Sequence, residues 1–270
     1  MPLAYIIFTT ITFLLMLALD LRHFFENKKK RREKVPYEPK VLVIIPCRGR
    51  DLTLERNLDS IKHQKYGAFS IIAVVDKEDD SAIPLIKRTG INFIVSNGPR
   101  GTSSGKMSAI LAAINKFSYE IYVIADSDIE VDQFWLKNLV APLYDKGIGI
   151  STMFPYFNPV GGFWSKVKMV WGFVGESLLE SESSRFGWGG SLAFRKALID
   201  KWFVNLATNT KYGVSDDICI TMAAKRKHLK IAYTNASQPI VNSNERFHNF
   251  VEWANRQTGK KRCSRGMLRI

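Results

Sequence analysis

The chain has 270 residues, of which 46% are hydrophobic and 24% are charged, so it can bury a substantial core and is not intrinsically disordered. Its formal net charge of +14 indicates an anionic partner, which could be nucleic acid, an anionic membrane or an anionic substrate. No nucleic-acid-binding motif occurs, and the three cysteines are widely spaced without a CxxC pair. Neither nucleic-acid binding, a disulfide framework nor a structural zinc site is therefore predicted.

An apolar, uncharged run occupies residues 2–19. A helix of about 18 residues nearly crosses the hydrocarbon core of a bilayer. The basic cluster at 28–32 follows the run, whereas a cleavable signal peptide carries positive charge before it. We therefore expect a single transmembrane anchor over 1–21 and a basic juxtamembrane linker over 22–40, with the rest of the chain in the cytosol. A buried terminal helix is the alternative.

Residues 41–270 are predicted to form one α/β domain, because continuous β-branched runs alternate with segments of helical spacing. The predicted strands are 41–45, 70–75, 91–95, 119–125 and 148–153. The predicted helices are 51–63, 81–88, 105–116, 163–179 and 216–227, with a turn at 158–162. This alternation predicts a mostly parallel, Rossmann-like sheet, in which ligands bind beyond the carboxyl ends of the strands. The aromatic helix 163–179 is either an ordinary buried helix or one that lies on a bilayer.

Acidic residues follow two of these strands. Asp126 and Asp128 come directly after the fourth strand, where two carboxylates can converge on Mg²⁺ or Mn²⁺ that also binds substrate phosphates. Asp76 ends the second strand, where it could hold the base or ribose of a nucleotide. The alternative for Asp126 and Asp128 is a turn with an aspartate helix cap.

A second acidic pair, Asp216 and Asp217, begins the predicted helix 216–227. A carboxylate opposite the metal could accept the proton of an acceptor hydroxyl. The alternative is that both acids simply stabilise the helix terminus.

The chain resembles the inverting family-2-type glycosyltransferases, and within them the ceramide glucosyltransferase-like branch, from about residue 41 to 257. The motifs that carry the resemblance occur in the family's order, and they are VIIPCRG at 43–49, VVD at 74–76 with Asp79-Asp80, SGKMSAI at 104–110, ADSD at 125–128, GGSLAFR at 189–195 and SDD at 215–217. The last family motif is Gln or Arg, two residues, then Arg-Trp. Arg256 matches its arginine, whereas Trp253 and Gln257 depart from it.

The resemblance implies the nucleotide-diphospho-sugar transferase fold and a single inverting displacement on a UDP-sugar. It implies Asp217 as the catalytic base and Asp126 and Asp128 as ligands of Mg²⁺ or Mn²⁺. It places Gly189, Gly190 and Asp216 on the acceptor side. The residues that it implies for nucleotide-sugar binding are Pro46, Arg48, Asp76, Lys106, Asp126 and Arg256.

The predicted anchor favours a lipid, or a lipid-linked molecule, as the acceptor of the sugar, because it keeps the domain at a membrane. The alternatives are a polysaccharide-elongating enzyme, which would normally need a transmembrane channel, and a non-catalytic membrane adaptor that keeps the fold. A nucleotidyltransferase, which shares much of the fold, would more often have a glycine-rich loop after its first strand.

Overall fold

The computed structural model describes residues 10, 14, 37–49, 53–98, 104–208, 215–255 and 257. The chain divides into two compact units, Met1–Pro36 and Tyr37–Ile270. The predicted anchor and residues 22–36 of the predicted linker lie outside the described residues, apart from Thr10 and Leu14, which are helical. In the ranges that the structure describes, no helix combines the length and the hydrophobicity needed to cross a bilayer.

The second unit is an α/β structure. Its strands and α-helices are, in chain order, β1 (Val41–Cys47), α1 (Leu54–Lys62), β2 (Phe69–Val75), α2 (Ile83–Thr89), β3 (Phe93–Val95), α3 (Gly105–Lys116), β4 (Ile121–Ala125), β5 (Ile129–Glu130), α4 (Trp135–Val140), β6 (Ile148–Thr152), β7 (Tyr156–Gly161), α5 (Phe163–Glu180), β8 (Ser191–Arg195), α6 (Lys201–Thr208), α7 (Asp216–Arg226), β9 (Lys230–Tyr233), β10 (Ile240–Asn244) and a helix over 247–255, here α8.

The main sheet has the strand order β3-β2-β1-β4-β8-β6-β9. Strands β1 to β4 are mutually parallel, and β6 is parallel to β9, whereas β8 is antiparallel to both of its neighbours. The prediction of a mostly parallel sheet is confirmed. Because β1 lies in the interior of the sheet and is buried on both faces, its sequence is a continuous apolar run rather than an alternating one.

Two hydrophobic cores lie on opposite faces of this sheet. Val41, Val43 and Ile45 of β1 contribute to one core, together with α1, α2 and α4. Leu42 and Ile44 contribute to the other core, which includes α3, α6 and α7. Successive side chains of a strand point to opposite faces, so one strand supports both cores and the domain has three layers.

A small second sheet has the order β5-β10-β7. It begins directly after Asp128, since β5 starts at Ile129. The predicted turn at 158–162 is wrong, because most of that segment belongs to β7, which pairs in parallel with β10. Pro159 is tolerated there because β7 is an edge strand, and the Asn158 side chain donates to Asn242 Oδ1 at 2.8 Å.

The last residues of the predicted linker contact the folded domain. The Tyr66 hydroxyl donates to the carbonyl of Pro39 at 2.8 Å. Glu38 accepts from the Gly67 amide at 3.2 Å and forms an ion pair with Lys137 at 3.1 Å. Residues 37–40 therefore continue the domain in the structure.

The Arg195 side chain links the carboxyl end of β8 to the turn that precedes β6 by hydrogen bonds. Its guanidinium donates to the carbonyl of Ile148 at 2.8 Å and to that of Asp145 at 3.0 Å, and it also contacts the carbonyl of Leu143. The arginine of the GGSLAFR motif therefore has a structural role.

We expect Arg195→Met to lower the free energy of unfolding by about 2–3 kcal/mol, because hydrogen bonds from a charged donor are lost and carbonyls lose their partner. Arg195→Lys should restore only part of the loss, since lysine lacks the planar fork. Urea denaturation checks this, with Arg88→Met as control. Arg88 forms an exposed ion pair with Glu55, which water and salt screen, so its loss should have a much smaller effect. Equal effects of the two substitutions would contradict the assignment.

Candidate active site

Lys106 lies where three distant segments of the chain meet. Its Nζ lies 2.5 Å from Asp126 Oδ1 and 3.2 Å from Asp216 Oδ2, and it donates to the carbonyl of Gly189 at 3.2 Å. The lysine is the second residue of α3, and Ser104 caps that helix by accepting from the Met107 amide at 3.1 Å. The first turn of α3 is thereby held against the carboxyl end of β4.

Asp126 is positioned through the backbone. Its amide donates to the carbonyl of Gly190 at 2.9 Å, directly beyond the antiparallel pairing of Ala125 with Ser191. The buried Asn57 side chain donates to the carbonyl of Ser127 at 2.9 Å and so fixes the middle of the DxD segment. Asp128 is exposed. The two predicted metal ligands therefore lie in a segment that is anchored on both sides.

The loop before β8 needs glycines because neighbouring side chains lie very close to its backbone. A Cβ atom on Gly189 would overlap the carboxylate of Asp216, and one on Gly190 would overlap the indole of Trp188. These glycines therefore permit the contacts of Lys106 with Asp216 and of Trp188 with the loop. Because Gly189 has no side chain, Asp216, the predicted acceptor-side acid, can lie close to the DxD segment.

Hydroxyl groups of two neighbouring elements hold this loop in place. The Trp188 amide donates to Thr152 Oγ1 of β6 at 2.9 Å, and the Gly187 amide donates to Thr221 Oγ1 of α7 at 2.9 Å. The indole of Trp135 donates to Ser191 Oγ at 2.9 Å, and both residues are fully buried. The loop is thus tied to the sheet, to α4 and to α7.

The predicted nucleotide side is built around the ends of β1 and β2. Asp76 follows β2 and lies beside the start of α3, since a Cβ atom on Gly105 would be 3.4 Å from Asp76 Oδ2. Arg48 is exposed, and its Nε lies 3.9 Å from the same oxygen. Pro46 is half-buried. It lies in the last part of β1, after the residues that pair with β4.

Asp80 fixes the loop that follows β1. Its Oδ1 accepts from the Gly49 amide at 3.0 Å and from the Ala82 amide at 2.9 Å. Gly49 has a φ of +72°, in the left-handed region that favours glycine. Asp80 therefore supports the loop that carries Arg48.

The two acids that begin α7 are both buried but have different contacts. Asp216 is 5% exposed and contacts Lys106. Asp217 is 6% exposed, and its Oδ1 accepts from the Ser215 hydroxyl and from the Ile218 amide at 3.0 Å. Asp216 is paired with the ammonium group of Lys106, and Asp217 accepts from two donors of its own helix terminus.

The charges of the cluster are unequal. Burial lowers the pKa of Lys106, but the carboxylates of Asp126 and Asp216 outweigh that effect and raise the pKa above its usual value. Lys106 therefore stays protonated at neutral pH. The ammonium group of Lys106 faces Asp126 and Asp216, and Asp217 also lies within electrostatic reach of it.

Metal binding at the DxD segment has to be compatible with these contacts. The described residues contain no ready-made group of three or more His, Cys, Asp or Glu side chains that could hold a metal ion. Mg²⁺ and Mn²⁺ sites that include a substrate need only one or two carboxylates, with phosphate oxygens completing the shell. Asp126 and Asp128 fit a metal ion of that kind.

The structure thus brings four predicted site residues into direct contact, namely Lys106, Asp126, Gly189 and Asp216. Arg256 lies outside the described residues. Sequence reasoning assigned Asp80 to a family motif without a role, and it assigned no role to Asn57 or Trp188. Asn57 carries a recognisable signal, because it is a polar residue beside Leu54, Leu58 and Ile61 on the apolar side of a predicted helix.

Solved structures with the same fold are glycosyltransferases. A mannosyltransferase from Pyrobaculum calidifontis, solved with GDP-mannose and Mn²⁺, matches 88% of this chain and 67% of its own at 18% identity, with a TM-score of 0.59. Glucosyl-3-phosphoglycerate synthase from Mycobacterium tuberculosis, solved with Mn²⁺, UDP and phosphoglyceric acid, matches 78% of this chain and 73% of its own. Its identity is 19% and its TM-score is 0.54. The predicted nucleotide-diphospho-sugar transferase fold is thereby confirmed.

The family follows from the sequence of nearly the whole chain. Residues 3–265 match the model of glycosyl transferase family 21, and the chain therefore belongs to that family. The protein is a glycosyltransferase, as the motifs predict.

We expect Gly189→Ala to reduce the rate of sugar transfer by about 100-fold, because the new methyl group displaces Asp216 and misplaced site groups cost that order of rate. Gly147→Ala is the matched control, since Gly147 is exposed and the nearest atom to its new Cβ is Asp145 Oδ1, 3.2 Å away on an exposed side chain. Steady-state transfer assays and a melting curve for each variant make the comparison. A fully active Gly189→Ala enzyme would contradict the assigned geometry.

Proposed function

We propose that the protein is an inverting glycosyltransferase that moves a sugar from a nucleotide-sugar donor, expected to be a UDP-sugar, onto a hydroxyl of a membrane lipid. The observation that carries the proposal is the contact of Lys106 with Asp126 and Asp216 at the carboxyl edge of a parallel sheet. Family membership and the use of nucleotide sugars by the proteins of similar fold support it.

On the donor side, Asp126 and Asp128 would hold Mg²⁺ or Mn²⁺ together with the diphosphate. The metal ion, when bound, would neutralise the charge that develops on the leaving nucleoside diphosphate. Asp76, Pro46 and Arg48 surround the nucleotide position at the ends of β1 and β2. Lys106 keeps Asp126 oriented, and its ammonium lies close enough to contribute to phosphate binding. Arg256 is proposed as a further phosphate contact from its sequence motif.

On the acceptor side, we assign Asp217 as the base that removes the proton from the acceptor hydroxyl. Asp216 already forms an ion pair with the ammonium group of Lys106, at 3.2 Å. Asp217 is the second acid of the SDD motif, the position to which the resemblance assigns the base, and it is held at the start of α7 by the Ser215 hydroxyl and the Ile218 amide. Gly189 and Gly190 let the loop ahead of β8 lie close to Asp216 and Trp188, on the side proposed for the acceptor.

The proposed lipid acceptor and location rest on the amino-terminal sequence. The apolar run 2–19 and the basic cluster 28–32 support a single-pass anchor with the catalytic domain in the cytosol. A domain tethered at this surface meets membrane lipids at high local concentration. The resemblance of the motifs supports a place in the ceramide glucosyltransferase-like branch.

The proposal is tested with a panel of nucleotide sugars, Mn²⁺ or Mg²⁺ and a membrane lipid extract. We expect one donor to support metal-dependent transfer, and Asp217→Asn to lower kcat by about 100- to 10,000-fold, the usual contribution of a general base. Asp200→Asn is the control, since Asp200 pairs with Arg226 and Lys227 on the surface. Normal transfer by Asp217→Asn would remove Asp217 as the base, and failure to bind any nucleotide would reject the proposed function.

Metal dependence gives a separate prediction. Calorimetric titration should detect Mn²⁺ binding much more strongly in the presence of a nucleoside diphosphate than without it, because phosphate oxygens complete the metal shell. Asp126→Asn should abolish this linkage, whereas Asp79→Asn, at an exposed acid of the turn after β2, should preserve it. Tight metal binding by the protein alone, or transfer that survives chelation, would contradict the prediction.

A further inference from the structure

The outward face of α5 is apolar although it faces solvent. The helix packs inward through Ser165, Lys168, Gly172 and Leu179. On the other side, Phe163 is 68% exposed, Val170 59% and Val174 58%, and Trp171 and Phe173 are also exposed. A helix that borders water normally has a polar outer face. This distribution is typical of a surface that binds a partner.

The apolar surface continues onto α8. The rings of Trp164 and Phe247 lie 4.7 Å apart, and Trp164 stacks on Phe250 at 5.3 Å. Phe247 and Val251 are exposed beside them. We call this surface the aromatic face, and it consists of Phe163, Trp164, Val170, Trp171, Val174, Phe247 and Val251.

The aromatic face has a rigid support. Lys168 is buried, forms an ion pair with Glu245 at 2.6 Å and lies over the rings of Phe157 and Trp253. A Cβ atom on Gly172 would lie 2.7 Å from the ring of Phe157, so α5 packs closely on β7. Helix α5 is thus fixed to β7, to the end of β10 and to α8.

We propose that the aromatic face rests on the surface of a lipid bilayer, as a second membrane contact besides the predicted anchor. Tryptophan and phenylalanine beside aliphatic residues are typical of helices that lie in the interface of a membrane. The exposed Lys166 and Arg246 border the face. The chain after α8 is basic, with Lys260, Lys261, Arg262 and Arg265, which suits anionic headgroups.

The aromatic face is connected to the acceptor side of the active site. The ring of Phe154 lies against Gly175 of α5, and its centroid is 5.6 Å from that of Trp188. The Trp188 indole in turn packs against Gly190. On the basis of the proposed lipid acceptor, the face would orient the domain so that a lipid hydroxyl enters beside this loop.

Depth measurement on the full chain tests the contact itself. In a Cys263→Ser background, where Cys47 and Cys219 are buried, nitroxide labels are placed at Val170→Cys or Val174→Cys. Val204→Cys, an exposed valine of α6, is the control. In vesicles of phosphatidylcholine and phosphatidylglycerol, the labels on the face should collide more with lipid-soluble oxygen than with a water-soluble nickel chelate. The control should show the reverse.

Two outcomes of this measurement would overturn the proposal. Collision with the nickel chelate as frequent as at the control would show that the face is in water. Protection from both reagents would show that protein covers the face, either the amino-terminal segment of the same chain or a second copy. Neither outcome depends on enzymatic activity, so the proposed function can fail while this result stands.

Activity tests the orienting role separately. Val170→Glu combined with Val174→Glu should lower transfer to vesicle lipid by about tenfold, since charged side chains are costly at the membrane interface. Metal-dependent hydrolysis of the donor should stay unchanged, and Val204→Glu should affect neither reaction. Unchanged lipid transfer in the double variant would overturn the orienting role. If the unmodified protein does not hydrolyse any donor, the proposed function is rejected instead.

Discussion

The candidate site depends on the ion pairs that the Lys106 ammonium group forms with Asp126 and Asp216. Asp126 follows β4 and Asp216 begins α7, so a stretch of about 90 residues separates these two acids. The Lys106 ammonium group lies between their carboxylates, 2.5 Å from Asp126 and 3.2 Å from Asp216. Without it, two like charges in a partly buried position would repel each other strongly. The lysine therefore lets the fold concentrate acidic groups at one edge of the sheet.

Close packing imposes a second constraint on the same place. Gly189 and Gly190 allow Asp216 and the indole of Trp188 to approach the loop more closely than any side chain at those positions would permit. Thr152 and Thr221 hold the loop from opposite sides. The site thus combines charge complementarity with steric constraints, and a change in either affects the other.

Much of this arrangement could be predicted from sequence, because its main strands are long apolar runs that end in aspartate. β2 and β4 have that form, β1 is a similar apolar run, and the carboxyl ends of parallel strands lie at one edge of a sheet. The elements β5, β7 and β10 could not be predicted in this way, since each is short or contains polar residues and is defined by its pairing. The contacts of Asn57 and Asp80 depend on tertiary structure that local patterns do not encode.

The reversed direction of β8 has an evolutionary consequence. Because β8 runs antiparallel to β4, its amino end meets the edge where β1, β2 and β4 have their carboxyl ends. The predicted nucleotide side is therefore formed by residues that follow the carboxyl ends of β1 and β2. The predicted acceptor side includes a loop that precedes the amino end of β8. The exposed residues 181–184, which precede this loop, can change in length or composition without disturbing the turns after β1 and β2. Variation on the predicted acceptor side can thus leave the donor half of the domain unchanged.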